Sequence, residues 1–145
     1  MAVEKGLFQL VTSSPTIQAA VGTDANGTTR AFWSLAPQNT PMPFLVLDRV
    51  STTDTYTMAG NTGLREGIFQ ITTYADTNSG GYYKARGVAN QVRELLKNFK
   101  GTLPDADATV VQAVMTYRDF DDKFSEGGTS FTFVSCLQFK VFYIG

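Results

Sequence analysis

The sequence predicts an α+β fold: a mainly antiparallel sheet of about five strands packed against one long helix, with short N-terminal helices. Two patterns support this prediction. Residues 79–100 repeat apolar side chains at intervals of three and four positions, which is typical of an amphipathic helix. Residues 130–144 carry apolar side chains at nearly every odd position, so we expect a long strand with one buried face. Strands on both sides of a single helix favour a sheet covered on one face.

Short helices are expected before the first strand. Apolar side chains in residues 4–12 have a helical spacing, and Ser14 followed by Pro15 is a typical start for a second helix. Proline is favoured at the first helical position because it has no N–H group to leave unsatisfied. Residues 30–35 have the composition of a strand. Residues 36–43 contain three of the five prolines, which predicts an extended connection.

The central part of the chain predicts two strands, a loop between them and the long helix. Residues 44–51 are rich in branched side chains and indicate a strand. Residues 52–64 are polar and longer than an ordinary hairpin turn, so we predict a functional or mobile loop. The strand pattern resumes over 65–75. Gly101 follows the helical pattern of 79–100 and is a typical stop signal.

The C-terminal part predicts two further strands, at 108–117 and 130–144, joined by an acidic connection at 118–128. A group of carboxylates in this connection could suggest a site for a hard cation. Its spacing is not that of an EF-hand loop, so a solvated acidic turn is the favoured interpretation. The carboxylates are those of Asp119, Asp121, Asp122 and Glu126.

The composition argues against catalysis. The chain has no histidine, which is the commonest general base. Its single cysteine, Cys136, lies in an apolar strand pattern, so we interpret it as a packed side chain that cannot form an intramolecular disulfide. A classical zinc site needs several cysteine or histidine ligands. We therefore expect a protein that is not an enzyme and that uses no cofactor and no metal.

Length and charge limit the remaining possibilities. The 145 residues fit one domain, so 1–145 is predicted to be a single unit. A formal net charge of −1 gives no overall attraction to nucleic acid or to an anionic membrane. The sequence has no recognisable signal peptide or membrane-spanning run, so we expect a soluble protein that is in the cytoplasm when it is first made.

Two features leave a ligand-binding alternative open. The glycine-rich stretch "SGGY" at 79–82 precedes the helix, but it lacks the spacing of a phosphate-binding P-loop, so a flexible helix entry is favoured. The helix also carries a basic stripe that could face nucleic acid, solvent or an acidic neighbour. At this net charge the last two are favoured. The stripe consists of Arg86, Arg93, Lys97 and Lys100.

Three stretches, in this order, cover nearly the whole chain and together carry a family resemblance. They are "SSPTIQAAVGT" at 13–23, "APQNTPMPFLVLDRVS" at 36–51, and "GLREGIFQITTYADT" at 63–77 leading to "ANQVRELLKNFKG" at 89–101. The series resembles the tail-completion, or tail-terminator, proteins of long-tailed bacteriophages. The most specific elements are a β run ending in Arg-Val-Ser and a β run that starts at Leu-Arg and ends at Tyr-Ala.

The resemblance implies a structural role in a virion. Such proteins form a hexameric ring at the head-proximal end of the tail tube, cap tube growth and offer a surface for head joining. Genomic DNA passes through the ring without sequence recognition. The implied partners are further copies of the chain, the tail-tube protein and the head-neck stopper, in a virion assembled in the host cytoplasm without a membrane. A neck stopper, a connector or a tail-tube subunit stay open as alternatives, as does a small phosphate-ligand-binding module.

Two segments are the candidate contact surfaces of such a protein. The polar loop 52–64 suits a chain that must grip a neighbour, and the acidic segment 119–126 is the second candidate. The residues predicted to make contacts are Asp54, Tyr56, Met58, Asn61, Leu64, Arg65, Asp119, Asp121, Asp122 and Glu126.

Overall fold

The computed structural model describes residues 2–23, 29–36, 42–97, 99–104, 109–125 and 131–144. The helices are α1 (Ala2–Thr12), α2 (Pro15–Val21) and α3 (Gly81–Leu96), and a 3-10 turn at Thr77–Ser79 precedes α3. The strands are β1 (Ala31–Trp33), β2 (Phe44–Thr57), β3 (Gly60–Asp76), β4 (Gly101–Thr102), β5 (Val110–Ser125) and β6 (Phe131–Ile144). None of the described helices is long and apolar enough to cross a membrane.

The sheet has six strands in the order β1-β2-β3-β6-β5-β4. Neighbouring strands run antiparallel, except that β1 pairs in parallel with β2. The α+β class is therefore confirmed, whereas the prediction of about five strands differs from the six-stranded mixed sheet. The additional strand, β4, contains only Gly101 and Thr102. The predicted helix stop at Gly101 is wrong, because α3 ends at Leu96 and its C-cap is Lys97 in extended conformation.

The second helix begins where the sequence predicts. Ser14 is the N-cap residue in extended conformation and Pro15 occupies the first turn, although the Ser14 side chain makes no capping hydrogen bond. The helix ends at Gly22, whose φ of 76° is accessible to glycine at little cost. The Gly22 N–H donates a hydrogen bond to the carbonyl oxygen of Gln18 at 2.8 Å, which satisfies one of the last carbonyl groups of α2.

The predicted loop at 52–64 is wrong, because this segment forms the end of a long β-hairpin. Strands β2 and β3 pair as far as Thr57 and Gly60, which leaves only Met58 and Ala59 in the turn. Four threonines in 52–57 explain the extended backbone, since β-branched residues favour strands. Their polarity was misleading because a hairpin can pair through its backbone without an apolar alternation in its sequence.

The predicted acidic connection at 118–128 is also wrong over its described part. Strand β5 continues through it to Ser125 and stays paired with β6 from Arg118 onward. Phe120, Asp122 and Phe124 point to one side of the sheet and the intervening residues to the other, as expected for a strand. The charges in this segment concealed the alternation of its phenylalanines.

The hydrophobic core lies between one face of the sheet, here called the helix face, and the three helices. Helix α3 contributes Val88, Val92 and Leu96, and the odd-numbered positions of β6 from Leu137 to Tyr143 meet them. The predicted buried face of β6 is thus confirmed, although its first odd positions are only half-buried. The opposite side of the sheet is called the outer face below.

Candidate assembly surfaces

The β2–β3 hairpin extends past the end of the neighbouring strand β6. In the described part of the chain, the pairing of β3 with β6 starts at Leu64, which lies opposite Ile144, the last residue of β6. Residues 54–63, here called the ribbon, therefore form a two-stranded projection within the described strands. An isolated two-stranded hairpin is only marginally stable in water, so such a projection is well suited to acquire stability from a neighbour.

An ion pair stabilises the base of the ribbon. Arg65 lies directly opposite Asp54 across the strands, and its Nε donates a hydrogen bond to Asp54 Oδ1 at 2.6 Å. This hydrogen bond raises the pKa of the Arg65 guanidinium above its usual value. Two of the predicted contact residues thus bind each other and fix the register of the hairpin.

The tip of the ribbon exposes an apolar side chain. Met58 is fully exposed in the turn, whereas Leu64, at the junction with β6, is half-buried. The backbones of Tyr56 and Asn61 pair with each other, and their side chains lie outside the described part of the structure. A flexible methionine at a projecting tip can adapt to an irregular surface.

Two of the predicted acidic contacts face α3 within the subunit. Arg86 Nη1 contacts Asp119 Oδ1 at 2.6 Å and Asp121 Oδ1 at 2.8 Å, and Arg86 Nη2 lies 3.2 Å from Asp119 Oδ2. The hydroxyl of Ser135 donates a further hydrogen bond to Asp121 at 2.7 Å. The sequence left solvent and an acidic neighbour as the favoured surroundings of the basic stripe. For Arg86 the acidic neighbour is confirmed.

This arrangement, here called the Arg86 clamp, joins α3 to β5. Burial alone would lower the pKa of Arg86, but the hydrogen bonds and charges of Asp119 and Asp121 outweigh it and raise that pKa. Tyr82 also donates a hydrogen bond to Asp121, at 3.3 Å. The clamp thus engages both carboxylates internally, and their contact with a partner stays a prediction.

The other two acidic candidates differ from this pair. Asp122 is exposed on the outer face, where its Oδ1 accepts a hydrogen bond from the backbone N–H of Lys123 at 2.8 Å. Glu126 lies outside the described residues. Of the four predicted acidic contacts, Asp122 is therefore the one that the structure places on the surface of the outer face.

Besides Val110 at its start, β5 exposes four large apolar side chains that the sequence did not reveal. Between 43% and 55% of the surface of each is exposed, and the guanidinium of Arg118 lies over the Phe120 ring at 5.4 Å. The alternation of phenylalanine with charged residues could have revealed them, but the segment was interpreted as a connection. These side chains are Met115, Tyr117, Phe120 and Phe124.

The ribbon and the acidic part of β5 lie at opposite ends of the strands. Leu64, Ile144 and Val110 are aligned across the sheet at the ribbon end. At the other end, Thr132 lies opposite both Asp76 and Phe124. The two candidate contact surfaces are therefore separate, with the length of the sheet between them.

A cleft of about 630 Å³ lies between α1, β1 and β2. It is lined by residues that include Trp33, Asp48 and Arg49. Arg49 Nη1 forms an ion pair with Glu4 Oε1 at 3.4 Å. Burial raises the pKa of Asp48, and a hydrogen bond from Ser34 partly opposes that effect. The described residues contain no group of His, Cys, Asp and Glu side chains that could hold a metal ion.

The remaining sequence candidates for chemistry have structural explanations. Cys136 is buried on the outer face, its Sγ lies 3.7 Å from the hydroxyl of Thr72, and burial raises the pKa of its thiol. Gly80 and Gly81 have positive φ values of 115° and 65° where the chain enters α3. Glycine is required there by the backbone turn, which agrees with the interpretation as a helix entry.

The comparisons with known proteins agree with the resemblance seen in the sequence. A family model described as tail completion protein gp17 matches residues 5–135. No curated protein matches the chain.

Two solved structures share the fold. One is a chain from a structure titled "Virion of native gene transfer agent (GTA) particle", with a TM-score of 0.75 and 15% identity, covering 99% of this chain and 96% of that chain. Another has a TM-score of 0.51 and 16% identity, with coverage of 96% and 93%. At such low identities, these similarities support the fold alone.

Proposed function

Because the chain belongs to the family of tail completion proteins, we propose that it forms a hexameric ring that caps the tail tube, stops its polymerisation and provides the head-joining surface. Membership of this family makes the chain a structural protein of a phage-like virion and not an enzyme. The proposed position of the ring is the head-proximal end of the tail, after assembly in the host cytoplasm. Genomic DNA would cross the ring without sequence recognition.

The separation of the two candidate contact surfaces carries this proposal. A tube that grows by stacking identical rings does not stop by itself, because each added ring offers the same contact again. A cap must therefore bind the tube with one surface and present a different one beyond it. The ribbon with Met58 lies at one end of the strands, and the acidic end of β5 with the exposed Asp122 lies at the other. One end can thus meet the tail-tube protein and the other the head-neck stopper.

Deletion of the gene followed by electron microscopy of the lysate tests this function. Loss of a cap should give filled heads, unjoined tails and tubes of abnormal length, and the purified protein should restore joining to tails of correct length. A neck stopper or connector is the rival role. It would instead leave tails of normal length and heads that leak DNA, which would refute the capping function and keep the virion assignment.

A substitution at the ribbon tip tests the contact surface separately. Met58→Asp should leave the fold intact, because the side chain is fully exposed, and should weaken binding to tails or heads. Leu35→Asp is the matched control, since Leu35 is also an exposed apolar side chain (81%) but lies outside both candidate surfaces. Equal tail joining by the two variants would remove the ribbon tip from the interface.

A further inference from the structure

The sheet ends in two strand edges that are largely uncovered in the described part of the chain. Strand β1 pairs with β2 only at Leu45–Leu47. Strand β4 pairs with β5 only at Val110 and Val111. The rest of β2 on one side and of β5 on the other carries no further described strand. Such edges present unpaired backbone donors and acceptors, and proteins usually protect them or use them.

β-bulges restrict where these edges could pair. Strand β2 has register shifts between Arg49 and Ser51 and after Asp54, and β5 has its last shift before Arg118. Bulges bend an edge strand and interrupt its ladder. The longest unshifted run of β5 is Arg118–Ser125, and the unshifted run of β2 beyond its pairing with β1 is Ser51–Asp54.

The regular run of β5 resembles an interaction edge more than a protected one. Phe120 and Phe124 are 43% and 53% exposed on its outer face. Inward-pointing charges commonly protect an edge, but here Asp119 and Asp121 are bound by Arg86. A long, regular edge with exposed aromatic side chains is a predicted site of strand addition.

We propose that Arg118–Ser125 of one copy pairs antiparallel with Ser51–Asp54 of the next copy, so that the sheets join around the ring. The ring itself rests on the proposed function. Strands β2, β3, β6 and β5 are successive antiparallel neighbours, so β2 and β5 run in opposite directions. If the next copy is placed beside β5 so that its helix face and outer face continue those of the first copy, its β2 lies next to β5. The two strands then run antiparallel. This head-to-tail contact uses both edges and can close into a ring.

Charge modestly favours the β2 edge over a second β5 edge as the occupant. The β5 run contains three aspartates, at 119, 121 and 122, against the cations Arg118 and Lys123, so each run keeps one excess negative charge and two such runs would repel each other. Like charges placed opposite each other across strands are destabilising. The first three residues of the β2 run, at 51–53, carry neutral hydroxyl groups that can donate hydrogen bonds to carboxylates.

Disulfide trapping tests this contact directly. Thr53→Cys lies on the outer face of β2, and Asp122→Cys or Phe124→Cys lies on the outer face of β5. The double variants are oxidised both as concentrated protein and after addition to tails that lack the cap. We expect a ladder of covalent oligomers that ends at a closed ring. The wild type, whose Cys136 is buried, controls for background coupling.

Two further comparisons, the single cysteine variants and the tails that lack the cap, show whether the contact, the capping function or both are wrong. Covalent dimers from Phe124→Cys alone, without a ladder from the double variants, would show that β5 meets β5 and would overturn the contact. Tails that are capped without any ladder would overturn it too, while leaving the proposed function intact. A ladder in concentrated protein that fails to cap tails would support the contact and count against the capping function.

Lysine substitutions provide a test without cysteine chemistry. The double variant Phe120→Lys/Phe124→Lys places charges on the proposed contact and should reduce the assembled fraction at least about tenfold, as for the loss of interface anchor residues. Tyr83→Lys is the matched control, because Tyr83 is an aromatic side chain of α3 that is 86% exposed and lies outside the two strands of the proposed contact. If both variants melt like the wild type and assemble equally well, the proposed contact is wrong.

Discussion

Arg86→Met removes the closer of two cations that join α3 to β5 while keeping much of the aliphatic side chain. The other cation, Arg93, has its Nη1 4.0 Å from Asp119 Oδ2. The substitution breaks contacts at 2.6 and 2.8 Å and leaves Asp119 and Asp121 on the same face with no Arg86 between them. Exposed ion pairs contribute about 0–1 kcal/mol, whereas breaking a fully buried pair costs about 3–5 kcal/mol. With side-chain exposures of 18% for Arg86 and about 30% for both aspartates, the clamp lies between these limits. We expect a loss of about 1–3 kcal/mol in the free energy of unfolding.

Urea denaturation measures this loss. At a slope of roughly 1–3 kcal/mol per molar urea, the midpoint should fall by roughly 0.5–2 M with little change in slope. Lys97→Met is the matched control, since Lys97 is a cation at the C-cap of α3 whose pair with Glu94 at 3.3 Å is exposed, and it should cost less than about 0.5 kcal/mol. Adding Asp119→Asn to Arg86→Met should recover part of the loss by reducing repulsion. Equal costs for Arg86→Met and Lys97→Met would refute the clamp as a stabilising contact.

Three further predictions follow from burial. Leu96→Ala should cost about 2–5 kcal/mol in denaturant melts, because Leu96 is 2% exposed, and Leu95→Ala should cost less, because Leu95 is only partly buried; the reverse order would contradict the observed rotation of α3. Cys136 should react with a thiol reagent at pH 8 only after unfolding, because burial raises its pKa, and prompt labelling of folded protein would contradict its packing. Burial also raises the pKa of Asp48 above 3.8, so the folded state binds the proton of this carboxyl group more tightly than the unfolded state does. The protonated group therefore favours folding at low pH, and this contribution is lost as the pH rises through the raised pKa. Asp48→Asn should therefore be more stable than wild type at neutral pH, with the difference shrinking towards pH 4, and a constant difference would contradict this linkage.

The sequence predicted the parts of the fold in which the burial of one face makes apolar side chains recur at a regular spacing. Strand β6 alternates because its helix face packs against α3, and α3 shows an apolar stripe for the same reason. The start of α2 was predictable because Ser14 and Pro15 act locally. The family resemblance was confirmed by the match over 5–135. It rested on the same regular segments.

The parts that could not be predicted are those in which tertiary contacts replace a local signal. The sequence of the ribbon has no apolar alternation, so its threonines looked like a loop, and only the pairing of β2 with β3 reveals the hairpin. The acidic half of β5 looked like a solvated turn because the cation that binds Asp119 and Asp121 is more than thirty positions away in sequence, on α3. No reading of nearby residues could identify Arg86 as that partner. The contact roles of both segments stay predictions.

The Arg86 clamp also links subunit stability to the proposed ring contact. While Arg86 binds Asp119 and Asp121, the β5 edge presents Phe120 and Phe124 without two unpaired negative charges beside them. Arg86→Met should therefore weaken assembly by more than its loss of folding stability explains, because both carboxylates then act as protecting charges on the edge. Asp119→Asn in the Arg86→Met background should restore part of the disulfide ladder even at temperatures where both variants are fully folded. If the cysteine double variants form equal ladders with and without Arg86→Met under those conditions, the clamp serves the fold alone.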